Sequence, residues 1–336
     1  MIPTVDSNTF LPETLLVVER FISSELSDAK PITHQDEQEF YVLAGSHIKR
    51  TGAKDFEFNW PYIMQATRGR GYKIVKDNSA LHFYIRISEA NKIQLVIVSF
   101  LGPEFIQLLQ MLTERPAPPW KEVLVKNVPI EDLSYWNAAG FIETTQPWNQ
   151  YSFRDDNTYP QTFSRTSSIA QLEKSAVNRT TRRIINKWQA RGITVIPYSG
   201  IFKRQAYELL EMYTLYQTQK GTDSAKNVWD AHIFMFDESI RNCFRLAHVK
   251  NDSLISVTYL TPVNDCLYFN AMVNVVETNI MRFLAWQAVS YLQGEVGNLP
   301  EWLAWQGSEK SGQHSWKGYF YPAIEVEKTH VAKCTF

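Results

Sequence analysis

Arg179, Arg183, Lys187 and Arg191 recur at every fourth position of the stretch NRTTRRIINKWQARGITVIPY, which runs from Asn178 to Tyr198. That spacing puts them along one side of a helix. Val177, Ile184, Ile185 and Trp188 supply the apolar side. Gly192 reads as the helix stop, and a strand follows. From Arg165 to Arg191 there are seven Lys or Arg and a single acid, Glu173, although the whole chain carries a formal net charge of only -1. The charge is therefore local. A face made of Arg179, Arg182, Arg183 and Lys187 suits a polyanion such as a phosphate group or an RNA backbone. The alternative is a solvated face whose carboxylate partners come from elsewhere in the chain.

Other candidates for chemistry lie further along. Tyr268 and Asn270 stand two apart on a predicted strand, so they share one face and either line a pocket or pack as ordinary strand residues. Glu309 follows Ser308 in a polar loop, with His314 nearby; each is a candidate general base or an exposed loop residue. Asp230 and His232 have a spacing too common to argue for a metal or a dyad. Cys243, Cys266 and Cys334 are odd in number and far apart, with no disulfide framework and no metal spacing. There is no Walker loop, no GxSxG elbow and no zinc pattern, so no metal is expected.

These residues need elements to hold them. A chain of 336 residues is expected to form two domains, and 44% hydrophobic and 13% aromatic residues promise sizeable cores. A sequence pI near 6.7 argues against bulk nucleic-acid binding but not against a local basic site. The N-terminus lacks a basic-then-apolar signal, and no apolar run approaches the roughly 20 residues that span a bilayer, so a soluble cytoplasmic protein is expected.

In the first half, residues 12–26 have helical periodicity with Leu15, Leu16, Val18 and Phe21 on one side. Residues 40–43 are a short apolar run and 59–65 an irregular aromatic one. Strands are predicted at 72–76, 82–87 and 93–100, then a helix at 104–113, a strand at 122–128, a helix at 130–139 closed by Gly140, and a hairpin from 142 to 154. The polar segment 155–168 reads as a linker. After the basic helix come a strand at 193–198, a helix at 203–219, a helical segment at 227–237, strands at 244–250, 254–261 and 266–273, a helix at 279–292 stopped near Gly294, and strands at 300–305 and 324–333. Each half thus has three strands, a helix, another strand, a short helical segment and a last strand. This predicts a structural duplication in the mixed α/β class, with domains at 1–157 and 158–336 and mostly antiparallel sheets flanked by helices.

Three passages resemble the tandem-domain members of the GNAT acyltransferase fold. These members are the Fem-type aminoacyl-tRNA-dependent peptidyltransferases and the C-terminal domain of phosphatidylglycerol lysyltransferases. The passages are the basic helix with its glycine at 178–195, the helix at 279–292 with Leu284, Trp286, Gln287 and Ala288, and the ending Gly307-Ser308-Glu309 followed by Trp316-Lys317-Gly318-Tyr319-Phe320-Tyr321-Pro322. In the first half, 123–141 resembles the strand-helix-GF close of a first acyltransferase domain. Trp316 stands where the family has phenylalanine, and Gln306 where it tends to have glycine. Leu101-Gly102-Pro103 and Asn274-Val275-Val276-Glu277 are poor matches to a pyrophosphate loop.

The resemblance implies a transfer of an aminoacyl group to an amine or hydroxyl acceptor, with a peptide precursor, a lipid headgroup and a small amine as the alternatives. It implies aminoacyl-tRNA as donor co-substrate, with acyl-CoA or an acyl-carrier protein as the alternative and no tightly bound cofactor. Lys317 would face donor phosphate or the developing oxyanion, and Glu309 is the candidate acid-base partner. Tyr268, Asn270, Gln306, Ser308 and Trp316 would line the substrate pocket. A non-catalytic module that holds RNA or anionic lipid on the basic face is the reading of another class.

Overall fold

The structure, a computed structural model, describes residues 12–52, 58–67, 70–87, 92–114, 118–129, 132–144, 158–174, 178–219, 231–232, 235–236, 238, 240–274, 280–307 and 324–335. The chain forms two compact units, one made of Met1–Pro160 with Lys328–Phe336, the other of Gln161–Glu327. The first boundary lies three residues beyond the 157/158 division read from the sequence. The last nine residues, assigned by sequence to the second domain, belong to the first unit.

Unit 1 begins with helix α1 (Pro12–Glu25) and the short strand β1 (Ala29–Pro31), followed by α2 (Glu37–Thr51) and α3 (Trp60–Thr67). Strands β2 (Tyr72–Lys76), β3 (Ser79–Ile87) and β4 (Ile93–Leu101) then run antiparallel, and α4 (Phe105–Thr113) crosses over to β5 (Glu122–Pro129), which pairs parallel with β4. Helix α5 (Leu133–Ala138) and strand β6 (Ile142–Glu143) close this part of the chain. The edge beyond β5 is filled from the far end of the sequence: β13 (Ile324–Thr335) pairs antiparallel with both β5 and β6.

Four expectations are corrected here. Residues 40–43 are not a separate apolar run but part of α2, whose inward face is Phe40, Leu43, Ala44 and His47 at helical spacing. Residues 59–65 are not irregular, because Pro61 falls in the first turn of α3, where a missing N–H costs nothing. The inward side of α1 differs in part: Val18 is buried as expected and Ile22 joins it, while Leu16 is exposed. The hairpin predicted from 142 is instead the two-residue β6 on β13, and 145–157 lie outside the described residues. One face of the sheet packs Leu81, Phe83, Leu95, Ile97 and Val123 against α1, α4 and α5, with Trp120 and Trp136 fully buried among them.

Glu122, at the start of β5, gathers the ends of several strands. Gln94 of β4 donates to it, and Lys92 and Lys333 lie 3.6 and 3.7 Å away. The hydrogen bond from Gln94 is the first cause that holds its carboxyl below the usual range, against the cost of burial.

Strand β7 (Thr158–Arg165) leads into unit 2 and is followed by α6 (Thr166–Ala170), so residues 158–165 of the polar stretch expected to be a linker form a strand. Its polar side chains are compatible with that because Phe163 is buried and Ser164 accepts from the Trp305 indole at 2.7 Å. Then come α7 (Arg179–Gln189), β8 (Thr194–Pro197), α8 (Lys203–Gln219), β9 (Phe244–Lys250), β10 (Ser253–Val263), β11 (Cys266–Asn274), α9 (Ile280–Val296) and β12 (Trp302–Gly307). The sheet order is β7-β12-β11-β10-β9-β8, antiparallel except for the β11–β12 pair. Helix α9 runs through Gly294 and ends at Gly297 (φ +79°), a turn later than the glycine rule places it. Both units thus carry three antiparallel strands, a crossover helix and a parallel fourth strand, which is the duplication the sequence order predicts. Of the segment predicted as helical at 227–237, residues 231–232 and 235–236 are helical and the rest lie outside the described residues.

Three histidines are buried and held neutral. Burial is the first cause in each, lowering His47 to about 4, His82 to about 3 and His248 to about 4 from 6.5. A histidine whose folded pKa lies below its unfolded value leaves stability intact above the unfolded pKa and removes it as pH falls through the gap, because only the unfolded chain takes up the proton. Each contributes a slope of about 1.4 kcal/mol per pH unit between roughly pH 6.5 and 4. His47 and His82 are in unit 1 and His248 in unit 2, so unit 1 should lose stability about twice as steeply on acidification. Urea unfolding at several pH values, read by hydrogen exchange in β3 and β10, measures the two slopes.

Candidate functional site

Helix α7 opens with Asn178, whose side chain accepts from the Thr181 amide at 3.3 Å. Thr181, Ile185 and Trp188 are buried, and they turn Arg179, Arg183 and Lys187 outward, with Arg182 half-buried. The first turn contains no acid. Its arginines stand where the helix dipole is already positive, an arrangement that disfavours the helix by a few tenths of a kcal/mol per charge at an exposed site. Among the described residues no carboxylate lies within 4 Å of Arg179, Arg182 or Arg183. The solvated-face reading expected such partners. The flat ring of Trp188 carries the guanidinium of Arg191 at 4.1 Å and the ammonium of Lys187 at 5.7 Å.

The second feature is a gap in the sheet. Strand β11 pairs with β12 only from Cys266 to Tyr268, opposite Trp302 to Ala304. Beyond that point the two parallel strands part. Asn270 is the extra residue of a bulge against β10, since Tyr259 faces Ala271 and Leu260 faces Phe269. Its Oδ1 accepts from the Thr261 hydroxyl at 2.7 Å, and Thr261 stands directly opposite Tyr268. Tyr268 and Asn270 are thus brought to one place, both largely buried. Across the gap, the Trp305 ring of β12 lies 5.2 Å from Phe269. The backbone of Gln306 continues β12 beside them. Ser308, Glu309, His314, Trp316, Lys317 and Asp230 lie outside the described residues. His232 is 5.1 Å from the Phe236 ring. Among the described residues no group of three His, Cys, Asp or Glu could hold a metal.

Sequence reasoning missed three buried polar residues of unit 2. Arg282 is only 6% exposed in the first turn of α9. A charge inside the otherwise apolar run IMRFLAW is the signal that could have found it. Thr261 and His248 alternate within apolar strands, which reads as nothing more than a polar face until the partners are known.

Unit 1 repeats the gap with a different loop. Strands β4 and β5 pair from Gln94 to Ile97 and then part, and Val98 is bulged against β3. The turn after β4 is the place where a donor phosphate would meet free amides. Here the Gly102 N–H donates to His47 Nδ1 at 3.0 Å and the Glu104 N–H to Ser79 Oγ at 2.9 Å, while Arg50 donates to the Gly102 carbonyl at 3.3 Å. Those two amides are already used. The corresponding residues of unit 2, 275–279, lie outside the described residues.

No family model matches the chain, and no curated protein matches it. Solved structures do. A conserved protein of unknown function from Bacteroides thetaiotaomicron VPI-5482 matches with TM-score 0.71 at 12% identity over 91% of this chain and 99% of its own. FemX matches with TM-score 0.59 at 11% identity over 92% and 97%. L-PGS from Bacillus licheniformis matches with TM-score 0.58 at 10% identity over 87% and 90%. A tandem GNAT protein from the clavulanic acid biosynthesis pathway, solved without AcCoA, matches with TM-score 0.51 at 8% identity over 91% and 98%. The fold is therefore the tandem GNAT-type fold that the sequence resemblance implied. Among the described residues no helix is long and apolar enough to cross a membrane.

Gly102 offers a direct check on the closed loop of unit 1. Its φ is +85°, and a Cβ there would lie 2.1 Å from the Asn78 carbonyl oxygen, a contact that forces the backbone to move. Gly102→Ala should lower the stability of unit 1 by about 2 kcal/mol or more. Thermal unfolding of the variant, with hydrogen exchange in β9 to β11 as the unaffected internal reference, measures it.

Proposed function

We propose that the chain is an acyltransferase that moves an aminoacyl group from aminoacyl-tRNA to an amine or hydroxyl acceptor. The observation that carries this reading is the basic face of α7, where arginines crowd a helix N-terminus with no carboxylate among the described residues to neutralise them. A face built for stability would carry acids at that end. The FemX and L-PGS structures, of the same fold over nearly their whole length, support the same class of reaction.

In this reading Arg179, Arg182, Arg183 and Lys187 hold the donor's phosphates. The aminoacyl end enters the gap between β11 and β12, where Tyr268 and Asn270 stand, with Gln306, Ser308 and Trp316 as the remaining lining. The acceptor amine or hydroxyl attacks the ester carbonyl and loses its proton, with Glu309 as the proposed base. Lys317 balances the charge on the tetrahedral oxygen. Collapse breaks the ester bond, and the tRNA ribose oxygen leaves with a proton. Nothing stays bound as a cofactor between turnovers. The reaction belongs to the cytoplasm, where charged tRNA is found.

A second reading, with an acyl-CoA or acyl-carrier-protein donor, is favoured by the tandem GNAT neighbour, which is described in relation to AcCoA. The two are separated by charge reversal. Arg182→Glu with Arg183→Glu should weaken retention of charged tRNA and reduce the slope of log K against log salt by about 2. A coenzyme A reaction should continue at its wild-type rate in the same variant. Filter retention of a charged tRNA pool across a salt series, beside thioester titrations, makes the measurement. Retention unchanged by the reversal removes α7 from donor binding. Salt-sensitive retention with no transfer to any acceptor would leave a binding module.

A further inference from the structure

His248 lies in the middle of β9, completely buried, on the face that packs against α9. Its neighbours on that face, Leu246, Leu260, Leu267 and Phe283, are apolar, and a leucine or phenylalanine would fill the same space. Instead the imidazole joins a chain of hydrogen bonds. Gln287 of α9 donates its amide N–H to the Ile193 carbonyl at 2.8 Å. That fixes which end of the amide faces the ring, so Gln287 Oε1, 2.8 Å from His248 Nδ1, is an acceptor there. Nδ1 therefore carries the hydrogen, and Nε2 accepts from the Thr258 hydroxyl at 2.9 Å. Only one tautomer and one amide orientation satisfy every group.

The chain ties together elements that serve different parts of the donor. Ile193 follows Gly192 (φ +74°), the residue at which the chain leaves α7. Ile185 and Trp188 of α7 pack in the same core as Phe283, Ala288 and Val289 of α9. Gln287 sits two turns into α9, whose first turn follows the parted end of β11. Apolar packing between two helices tolerates small slides and rotations, whereas a hydrogen bond to a particular carbonyl is directional.

We propose that Gln287 and His248 are positioning residues: through the Ile193 carbonyl they fix the basic face of α7 relative to the first turn of α9, so that a nucleic acid held on α7 presents its acylated end to the gap between β11 and β12. The inference rests on the proposed aminoacyl-tRNA donor. Gln287 selects and fixes the turn, His248 holds the Gln287 amide in its working orientation, and Thr258 anchors the ring.

The variant that tests this is Gln287→Met, which keeps the length and removes both hydrogen bonds. Thr258→Val, which removes only the anchor at the far end, is the milder second variant should Gln287→Met fold poorly. The first measurement needs no donor. Amide exchange at residues 193–195 should be about tenfold faster in Gln287→Met, with the α7 amides from Ile184 to Gln189 unchanged. The second uses uncharged tRNA. Wild type and variant should retain it within about twofold, because the α7 charges are intact, and its addition should shift the His248 ring N–H resonance in the wild type. The third is transfer from charged tRNA, where kcat should fall about tenfold or more with KM for the donor nearly unchanged. Thr258→Val should move the same quantities in the same direction by less.

Unchanged exchange at 193–195 in Gln287→Met overturns the link itself. Retention of tRNA with an unmoved His248 resonance and wild-type kcat overturns the positioning role and leaves the donor reading standing. Failure of the wild type to retain any tRNA overturns the donor reading and the positioning role with it, while the exchange result still reports the link.

Discussion

The parallel pairing of β11 with β12 stops after Tyr268 and Ala304, and much of unit 2 follows from that stop. Parallel strands need a crossover, here α9, and the crossover keeps both strands covered on one face. Because the pairing is short, β12 accompanies only the first three residues of β11, Cys266 to Tyr268. The Asn270 bulge adds twist at the same point and turns its side chain to Thr261. Strand β7 on the outer side of β12 keeps that strand in place, with Ser164 holding the Trp305 indole.

The same geometry occurs in unit 1, and comparison of the two units is informative. Both have a short parallel pair and a bulge on the strand before the crossover helix. In unit 1 the loop that follows is filled by the protein's own groups: the imidazole of His47 and the hydroxyl of Ser79 take the Gly102 and Glu104 amides. His47 plays this role only as the neutral ring, which its burial favours. In unit 1 this loop is closed by the protein's own groups, and unit 2 carries the basic helix α7.

Charge and burial divide the work in unit 2. Arg179 and Arg183 of α7 remain in water, where a cation is inexpensive. His248 is inside, where only the neutral form is tolerated and hydrogen bonds are directional. The fit between them passes through Ile185, Trp188 and the Gly192–Ile193 turn.

The sequence by itself determined the order of strands and helices that the two units share, the duplication and the charged face, because periodicity, turn residues and charge spacing are local properties. The α7 stretch is legible for that reason: Ile185 and Trp188 point in and Arg179, Arg183 and Lys187 point out as their spacing requires. The strand rule puts Tyr268 and Asn270 on one face, but the bulge that brings Asn270 to Thr261 depends on the register with β10. What tertiary structure alone decided is long-range pairing. Residues 158–165 carry a linker's composition yet form β7 because β12 offers them a strand edge, and the C-terminal residues from Lys328 onward complete unit 1 because β5 offers another. Glycine 294 lies inside a helix because the packing of Val289 and Leu292 outweighs its local cost. His248 and Gln287, far apart in sequence, become one unit only when β9 and α9 meet. No local pattern encodes that meeting, because a hydrogen bond across the core depends on where two elements lie in space.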